Sequence, residues 1–453
     1  MSGLRPPIEL DQVLRTADLR TLARKLTRLD DVQIASQVDN LDRSSGERVF
    51  QALPVERRAA VFACLRYETA VSFVRRLAPE EAARLLDDLE SDDVADILGE
   101  LDKEKLGKIL ARLEPEEASE IEDLLAYDED SAGGIMSPDF IAVDENATVS
   151  QAVRTIQELE EPPEQAFYVY VLDRDERLVG VLSLHLLVTS KPEQRVGDIM
   201  LREIVTVRPS TDQEHVADMV SRYDLLSVPV VDEKRHMLGV ITIDDIVDVL
   251  REEATEDILK MAGAGEELGG TRSFWVSFRT RLPWLGAAAI GGLLVAVALS
   301  GFSTALVRVP TLALFMPVVA GMGGNVGIQS STIVVRGLAV GYVETAKLSR
   351  VVAREMLLGV CLGLVYGSLI AVAAPLVAGA EVEDSLGLGL VLTGAMIGSM
   401  TIAATVGTCI PLVMDRWGID PAVSTGPFVT TAVDALGLMF YFWLAASFFG
   451  IAL

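Results

Sequence analysis

The sequence predicts a multi-domain protein: an α-helical, solenoid-like N domain, a tandem pair of α/β units, and an all-α transmembrane domain of five helices. Three observations carry this reading. Leu recurs every 12 residues from Leu29 to Leu125. The segment 135–153 returns 64 residues later as 199–217. Five apolar runs occupy the chain from about residue 282 onward. The expected boundaries are 1–130 for the acidic helical repeats, 131–198 and 199–256 for the α/β units, 257–282 for a linker helix, and 283–453 for the membrane part.

The 12-residue repeat places Leu29, Leu41, Leu53, Leu65, Leu77, Leu89, Leu101, Leu113 and Leu125 in register. Pro54, Pro79 and Pro115 follow such a Leu by one or two positions, where Pro suits a first helical turn. Each unit reads as a short helix and a turn stacked on its neighbours, with the Leu side chains in the core.

In the second repeat, IMSPDFIAVDENATVSQAV aligns with IMLREIVTVRPSTDQEHVA. Each copy continues into apolar strand–turn–strand segments, FYVYVLDRDERLVGVLSL and SVPVVDEKRHMLGVITI, and closes on a helix. That order predicts two βαββα-like units.

A membrane span needs about 20 mostly apolar residues. The runs near 282–307, 312–335, 356–379, 386–414 and 424–450 qualify. Bases flank one side: Arg272, Arg279 and Arg281 before the first run, and Arg336, Lys347, Arg350 and Arg354 between the second and third. The loop after the third holds Glu381, Glu383 and Asp384 instead. Basic short loops stay in the cytoplasm, so residues 1–270 are expected there and the C-terminus outside. No signal peptide is expected, because no long apolar run precedes Leu282.

The net charge of −27 is unevenly spread. Residues 1–270 hold 58 acids against 30 bases, whereas the chain from Thr271 holds 8 against 9. Such acidity argues against nucleic acid or an anionic bilayer surface as partner and favours cations. Cys64, Cys361 and Cys409 have no paired spacing, and three His make no zinc motif. No phosphate-binding loop or nucleophile–base pair is visible, so no enzyme chemistry is expected.

Asp434 is the one carboxylate in the last apolar run. A carboxylate at membrane depth costs at least a few kcal/mol and is usually kept for ion transport, proton relay or pairing. The second run carries Gly321, Gly323, Gly324 and Gly327 with the amides Asn325 and Gln329. These glycines permit close helix packing; with the amides they also suit a water-lined cavity. Pro427, seven residues before Asp434, is expected to loosen the helix leading to it. Acids cluster twice more. Asp87, Asp88, Glu90, Asp92, Asp93 and Asp96 crowd one repeat, and Asp244, Asp248, Glu252 and Glu256 form an i, i+4 stripe beside Asp245, Glu253 and Asp257. Basic partners at those steps are expected to be absent. The stripe is read as a divalent-cation face, against the alternative of a solvated acidic surface.

The α/β pair resembles tandem cystathionine-beta-synthase (CBS) domains. Those often bind adenine nucleotides through a Ser/Thr followed three residues later by Asp. Thr242 and Asp245 fit that pattern, whereas Ser183 is followed by Leu186, so weak or absent ATP binding is expected. The whole order, together with GMGGNVGIQ (321–329), GIDPA (418–422) and TGPFVTTAVD (425–434), resembles the MgtE family of magnesium channels. The resemblance implies a homodimeric, multi-pass protein of the cell membrane. Its second and fifth spans would line a pore, with Asp434, Asn325 and Gly324 at the ion path. A plug helix would lie near 272–282. Regulatory Mg²⁺ would be held by Asp92, Asp96, Glu214, Asp224, Asp245, Asp248, Glu253, Glu256 and Asp257, and Asp420 would be a metal contact at the pore mouth. The implied function is Mg²⁺ import down its electrochemical gradient, shut by cytosolic Mg²⁺. The alternatives are an exchange or proton-coupled Co²⁺/Mn²⁺ transporter and a non-conducting membrane-anchored sensor.

Overall fold

A computed structural model describes residues 22, 26–87, 89–159, 166–263, 274–339, 348–378 and 385–451. The chain divides into two compact units, Met1–Arg251 and Glu252–Leu453.

From Asp31 onward the described part of the first unit carries eight short helices in succession: α1 (Asp31–Val38), α2 (Arg43–Ala52), α3 (Val55–Ala63), α4 (Tyr67–Val74), α5 (Pro79–Leu86), α6 (Ser91–Gly99), α7 (Lys103–Leu110) and α8 (Pro115–Leu124). Their first residues are 12 apart without exception, so the Leu period is the helix period. Each Leu from Leu29 to Leu113 sits just before an N-cap, and Leu125 is the C-cap of α8. Leu53, Leu101 and Leu113 are buried, and the others pack against the same core. Asp30, Asp42 and Asp102 cap helices through their carboxylates. Pro79 and Pro115 open helices, while Pro54 is itself an N-cap.

The stacking differs from simple nearest-neighbour order. The closest packing joins alternate helices, α1 to α3 to α5 to α7 and α4 to α6 to α8. Ion pairs follow the same rule: Arg57 with Asp31, Arg76 with Glu47, Arg75 with Glu100 and Arg112 with Glu80. Helices of about three turns with short turns between them zigzag into two layers, so each meets the next in its own layer two repeats on.

The first α/β unit contains β1 (Ala142–Asp144), α9 (Val149–Gln157), β2 (Tyr168–Leu172), β3 (Leu178–Ser183) and α10 (Leu184–Thr189). Strand β2 lies between parallel β1 and antiparallel β3. After α11 (Val196–Ile199) come α12 (Gln213–Tyr223), β4 (Ser227–Val231), β5 (Met237–Thr242) and α13 (Ile243–Met261). Here the expected first strand is only a parallel bridge between Val207 and Val230. Val207 N–H donates to Pro229 O, and Val231 N–H donates to Val207 O. Extending the ladder either way needs an N–H from Pro209 or Pro229, and proline has none. One apolar core runs from the repeats into the second α/β unit. A smaller one, with Tyr170, Leu178, Val231 and Val240, joins the two sheets.

The second unit takes the end of α13 and then α14 (Phe274–Ser300), α15 (Ser303–Arg308), α16 (Leu312–Ala339), α17 (Leu348–Ala378), α18 (Ser385–Arg416), a 3-10 turn at Pro421–Ser424, and α19 (Pro427–Phe448). Five of these are long and apolar enough to cross a membrane: α14, α16, α17, α18 and α19. The linker helix expected at 257–282 is not a separate element among the described residues. Residues 257–261 finish α13 and 274–282 open α14, while 264–273 lie outside the description. Arg279 and Arg281 interrupt the apolar run, but they do not interrupt helical hydrogen bonding, so α14 begins earlier than the hydropathy. Glu344, Lys347, Glu381, Glu383 and Asp384, which bear on orientation, are also outside the described residues.

Glycines set the helix spacing. A Cβ on Gly359, Gly363 or Gly367 would meet backbone of α18 at 2.8, 2.4 and 2.9 Å, so α17 and α18 touch main chain to main chain. Tyr441 is buried, and its hydroxyl donates to Leu312 O at 2.9 Å, tying α19 to the start of α16.

Candidate functional site

Asp434 lies on α19, half-buried, and faces α16. A Cβ on Gly324 would stand 3.9 Å from Asp434 Oδ1, at ordinary contact distance, so Gly324 faces the carboxylate. The glycines of α16 divide the two expected tasks. Gly323 and Gly327 are buried, with virtual Cβ atoms 2.9 Å from Ser399 Oγ and 2.9 Å from Val433 Cγ2. Gly324 is buried too but faces the acid, and a Cβ on Gly321 would meet nothing within 4 Å. Asn325 and Gln329 are exposed on the single chain. Pro427 does not loosen the approach to Asp434. It is the first residue of α19, after Gly426 at the N-cap, where the absent N–H has no helical acceptor to lose.

Asp420 precedes α19. Its Oδ1 accepts from Ala422 N–H at 2.8 Å, and its Oδ2 pairs with Lys260 Nζ at 2.8 Å. Lys260 also pairs with Glu256, one helical turn earlier. Asp257 stands beside them. Desolvation and then the Asp420 charge raise its carboxyl above the ordinary range, with Lys260 opposing. Burial would lower the Lys260 ammonium, but its bonds to Asp420 and Glu256 outweigh that and hold its pKa above the usual value. The expectation that α13's acids lack basic partners is therefore corrected. Lys260 was legible at i, i+4 from Glu256, and Arg251 pairs with Asp248 at 3.1 Å from i+3. Glu253 lies on the same helix.

In the first unit, the start of α6 faces the start of α13. Asp92 is 7% exposed, and its Oδ1 has no hydrogen-bond partner among the described residues. Desolvation first, then Asp245, Asp93 and Glu90, push its carboxyl well up. Glu90 is raised to about 7 by partial desolvation and by Asp93, Asp245, Asp244 and Asp139. Asp245 is raised to about 6, mainly by desolvation and against hydrogen bonds from Thr242. Asp93 is raised by desolvation and by Asp244 and Asp248. Two acidic clusters far apart in sequence thus become one. Asp96 lies one turn further along α6, and Asp88 is outside the described residues. Asp139, absent from the sequence-based set, joins the group; only its place between the repeats and β1 hinted at this.

Glu214 and Asp224 take no part in that cluster. They stand at opposite ends of α12, with Asp224 in a left-handed C-cap at φ 52°, about 15 Å apart along the axis. No three His, Cys, Asp or Glu side chains among the described residues are arranged to hold a metal ion.

The α/β pair forms an open cleft lined among others by Phe140, Tyr168, Tyr170, Ser227 and Thr242, with Glu90 at its wall. Thr242 Oγ1 donates to Asp245 Oδ2 at 2.7 Å. The equivalent Ser183 Oγ accepts from Leu186 N–H at 3.1 Å, while the Leu186 side chain packs into the first unit's core. One half-site has its acid, and the other has a hydrocarbon.

Comparison with known proteins agrees with this organisation. Family models described as "MgtE intracellular N domain", "CBS domain" and "Divalent cation transporter" match residues 29–130, 132–190 with 196–252, and 316–444. The magnesium transporter MgtE of Bacillus subtilis (strain 168) is 36% identical over 325 residues, 72% of this chain and 71% of that one. The MgtE of Thermus thermophilus is 37% identical over 333 residues, covering 72% of each. A crystal structure of the cytosolic domain of the Mg²⁺ channel MgtE in complex with ATP matches with a TM-score of 0.50 and 34% identity. It covers 54% of this chain and 100% of that one. With acidic helical repeats, a CBS pair and five apolar helices in this order, the chain belongs to the MgtE family.

Proposed function

We propose that this protein is a Mg²⁺ channel that admits Mg²⁺ to the cytoplasm down its electrochemical gradient and is closed by cytosolic Mg²⁺. Kinship to magnesium transporters supports the cargo and a transporter rather than an enzyme. The observation that carries the pore assignment is Asp434 facing Gly324 across α16 and α19. Mg²⁺ sheds water reluctantly and usually keeps several of its waters when bound. A carboxylate can hold a hydrated ion through its waters, and Gly324 sets no side chain against it. In a homodimer two Asp434 side chains would share the axis, and their repulsion favours an intervening cation. Asn325 would add a polar group to the same path.

Closure is assigned to the acids of residues 1–261. Glu90, Asp92, Asp93 and Asp245 are like charges held together, and a divalent cation relieves their repulsion. Asp96, Glu214, Asp224, Asp248, Glu253, Glu256 and Asp257 would serve within or between protomers, and Asp420 would be the metal contact at the pore mouth. A ligand shifts such an equilibrium only by binding one state better, so the crowded state is the one Mg²⁺ stabilises. The N domain would lie in the cytoplasm and the C-terminus outside, with domains at 1–130, 131–198 and 199–256 and a membrane domain that takes in α14 from Phe274. ATP would occupy the cleft at Thr242 and Asp245, weakly.

The test is Mg²⁺ uptake by liposomes holding the pure protein, with and without a proton gradient. Uptake set by the Mg²⁺ gradient and membrane voltage alone is expected. Uptake that requires the proton gradient would make the protein a coupled transporter.

A further inference from the structure

A second carboxylate lies inside the apolar unit. Glu355, on α17, is 8% exposed, and among the described residues its oxygens form no ion pair. Its Oε2 accepts one hydrogen bond, 2.9 Å from Ser330 Oγ on α16. Burying an acid with a single hydrogen bond costs several kcal/mol, and acids kept at such a cost in an apolar unit usually serve a function.

Its placement indicates the purpose. Glu355 begins the i, i+4 stripe that continues through Gly359, Gly363 and Gly367, the glycines that lock α17 onto the backbone of α18. Glu355 stands on a rigid helix pair and reaches across to α16. Three residues before Ser330, Gly327 meets α18 at Gly407, where a Cβ would come within 2.3 Å of Gly327 O. Next to Ser330, Ser331 Oγ lies 2.9 Å from Thr425 Oγ1, just ahead of α19. Gly324, opposite Asp434, is less than one turn from Gly327 and about two turns from Ser330 and Ser331 on the same helix. Rotating α16 by one residue, about 100°, would take Gly324 away from the acid.

We infer that Glu355 is a positioning residue for permeation: by accepting from Ser330 it fixes the rotation and height of α16, and so keeps Gly324 opposite Asp434. This rests on the pore assignment above. Glu355 itself need not touch the ion.

The test uses full-length protein in liposomes at matched incorporated amounts. It reads initial Mg²⁺ uptake, the half-saturating Mg²⁺ concentration and the ratio of Mg²⁺ to Ca²⁺ uptake for wild type, Glu355→Gln, Glu355→Ala, Ser330→Ala and the double alanine variant. Gln keeps a carbonyl acceptor for Ser330. The expected result is uptake within about threefold of wild type for Glu355→Gln. Glu355→Ala and Ser330→Ala should each fall about tenfold, as for loss of a hydrogen bond to a charged group, with a raised half-saturation and a reduced Mg²⁺ to Ca²⁺ ratio. The double variant should be no worse than either single one. A role in stability alone would lower incorporation without moving half-saturation or the cation ratio. Should Glu355→Ala fail to incorporate, Ser330→Ala, with no change of charge, carries the test. Wild-type half-saturation and cation ratio in Ser330→Ala would overturn the inference. So would Glu355→Gln as impaired as Glu355→Ala, because the charge and not the hydrogen bond would then matter. Absence of uptake by wild type would instead defeat the channel reading.

Discussion

Lys260 Nζ stands 2.8 Å from Asp420 Oδ2, placing a protein cation between the end of α13 and the turn that leads into α19. It is paired with Glu256 as well, and Asp257 adjoins it. Replacing Lys260 with Met leaves three carboxylates near one another without that cation. The variant is expected to lose about 1 kcal/mol in Mg²⁺-free buffer, as for a partly exposed pair. Added Mg²⁺ should raise its thermal midpoint more than it raises that of wild type. An identical Mg²⁺ response in both proteins would remove this acid group from cation binding.

Asp434→Asn and Asp434→Ala should fold and incorporate normally but pass Mg²⁺ at least about tenfold more slowly, because the charge that attracts the ion is gone. Uptake by reconstituted liposomes is the measurement. Unchanged flux in Asp434→Ala would place the ion path elsewhere.

The acids at the α6–α13 contact should make stability depend on pH. In the folded protein Glu90 titrates near 7 instead of 4.5, and Asp245 near 6 instead of 3.8. Between the ordinary and raised values the folded state holds protons that the unfolded chain has released. Stability therefore falls as pH rises through this range, and the full penalty is present above about pH 7. Without divalent cations the melting midpoint of the N-terminal transition should be higher at pH 5 than at pH 8. Mg²⁺ should restore it at pH 8, and Glu90→Gln should flatten the profile. A profile rising from pH 5 to 8 would contradict the arrangement.

Neutralising Asp92 and Asp245 together, as Asn, removes both repulsion and ligands. If repulsion alone held the channel open, the variant would close more readily. Bridging by metal predicts continued Mg²⁺ uptake at internal Mg²⁺ concentrations that silence wild type. A flux assay with Mg²⁺-loaded liposomes separates the two outcomes.

ATP should bind the full-length protein more weakly than about 0.1 mM, since the Leu186 half-site has no acid, and Thr242→Val should abolish what binding remains. Calorimetric titration decides this. Tight binding insensitive to Thr242→Val would show that the cleft recognises the nucleotide through other groups.

The 12-residue Leu spacing was enough to place all eight repeat helices, because a short helix and turn of constant length repeats its buried position at the same interval. Asp434 was legible for a similar reason: a carboxylate in an apolar run is costly whatever surrounds it. Other features required the folded chain. Alternate-helix stacking depends on how short helices zigzag. The union of Asp92 with Asp245 joins residues about 150 positions apart, whose mutual repulsion no local pattern records. Pro209 and Pro229 were visible, but their joint effect on the first strand of the second α/β unit follows only from the Val207–Val230 register. In the sequence, Glu355 simply follows Arg354, and nothing local marks it. Its burial against Ser330 exists because Gly359, Gly363 and Gly367 bring α17 down onto α18, and so bring the acid within reach of α16. Sequence periodicity determined which residues share a face. Tertiary packing decided which faces meet, because the energy of a buried charge depends on neighbours that lie far away along the chain.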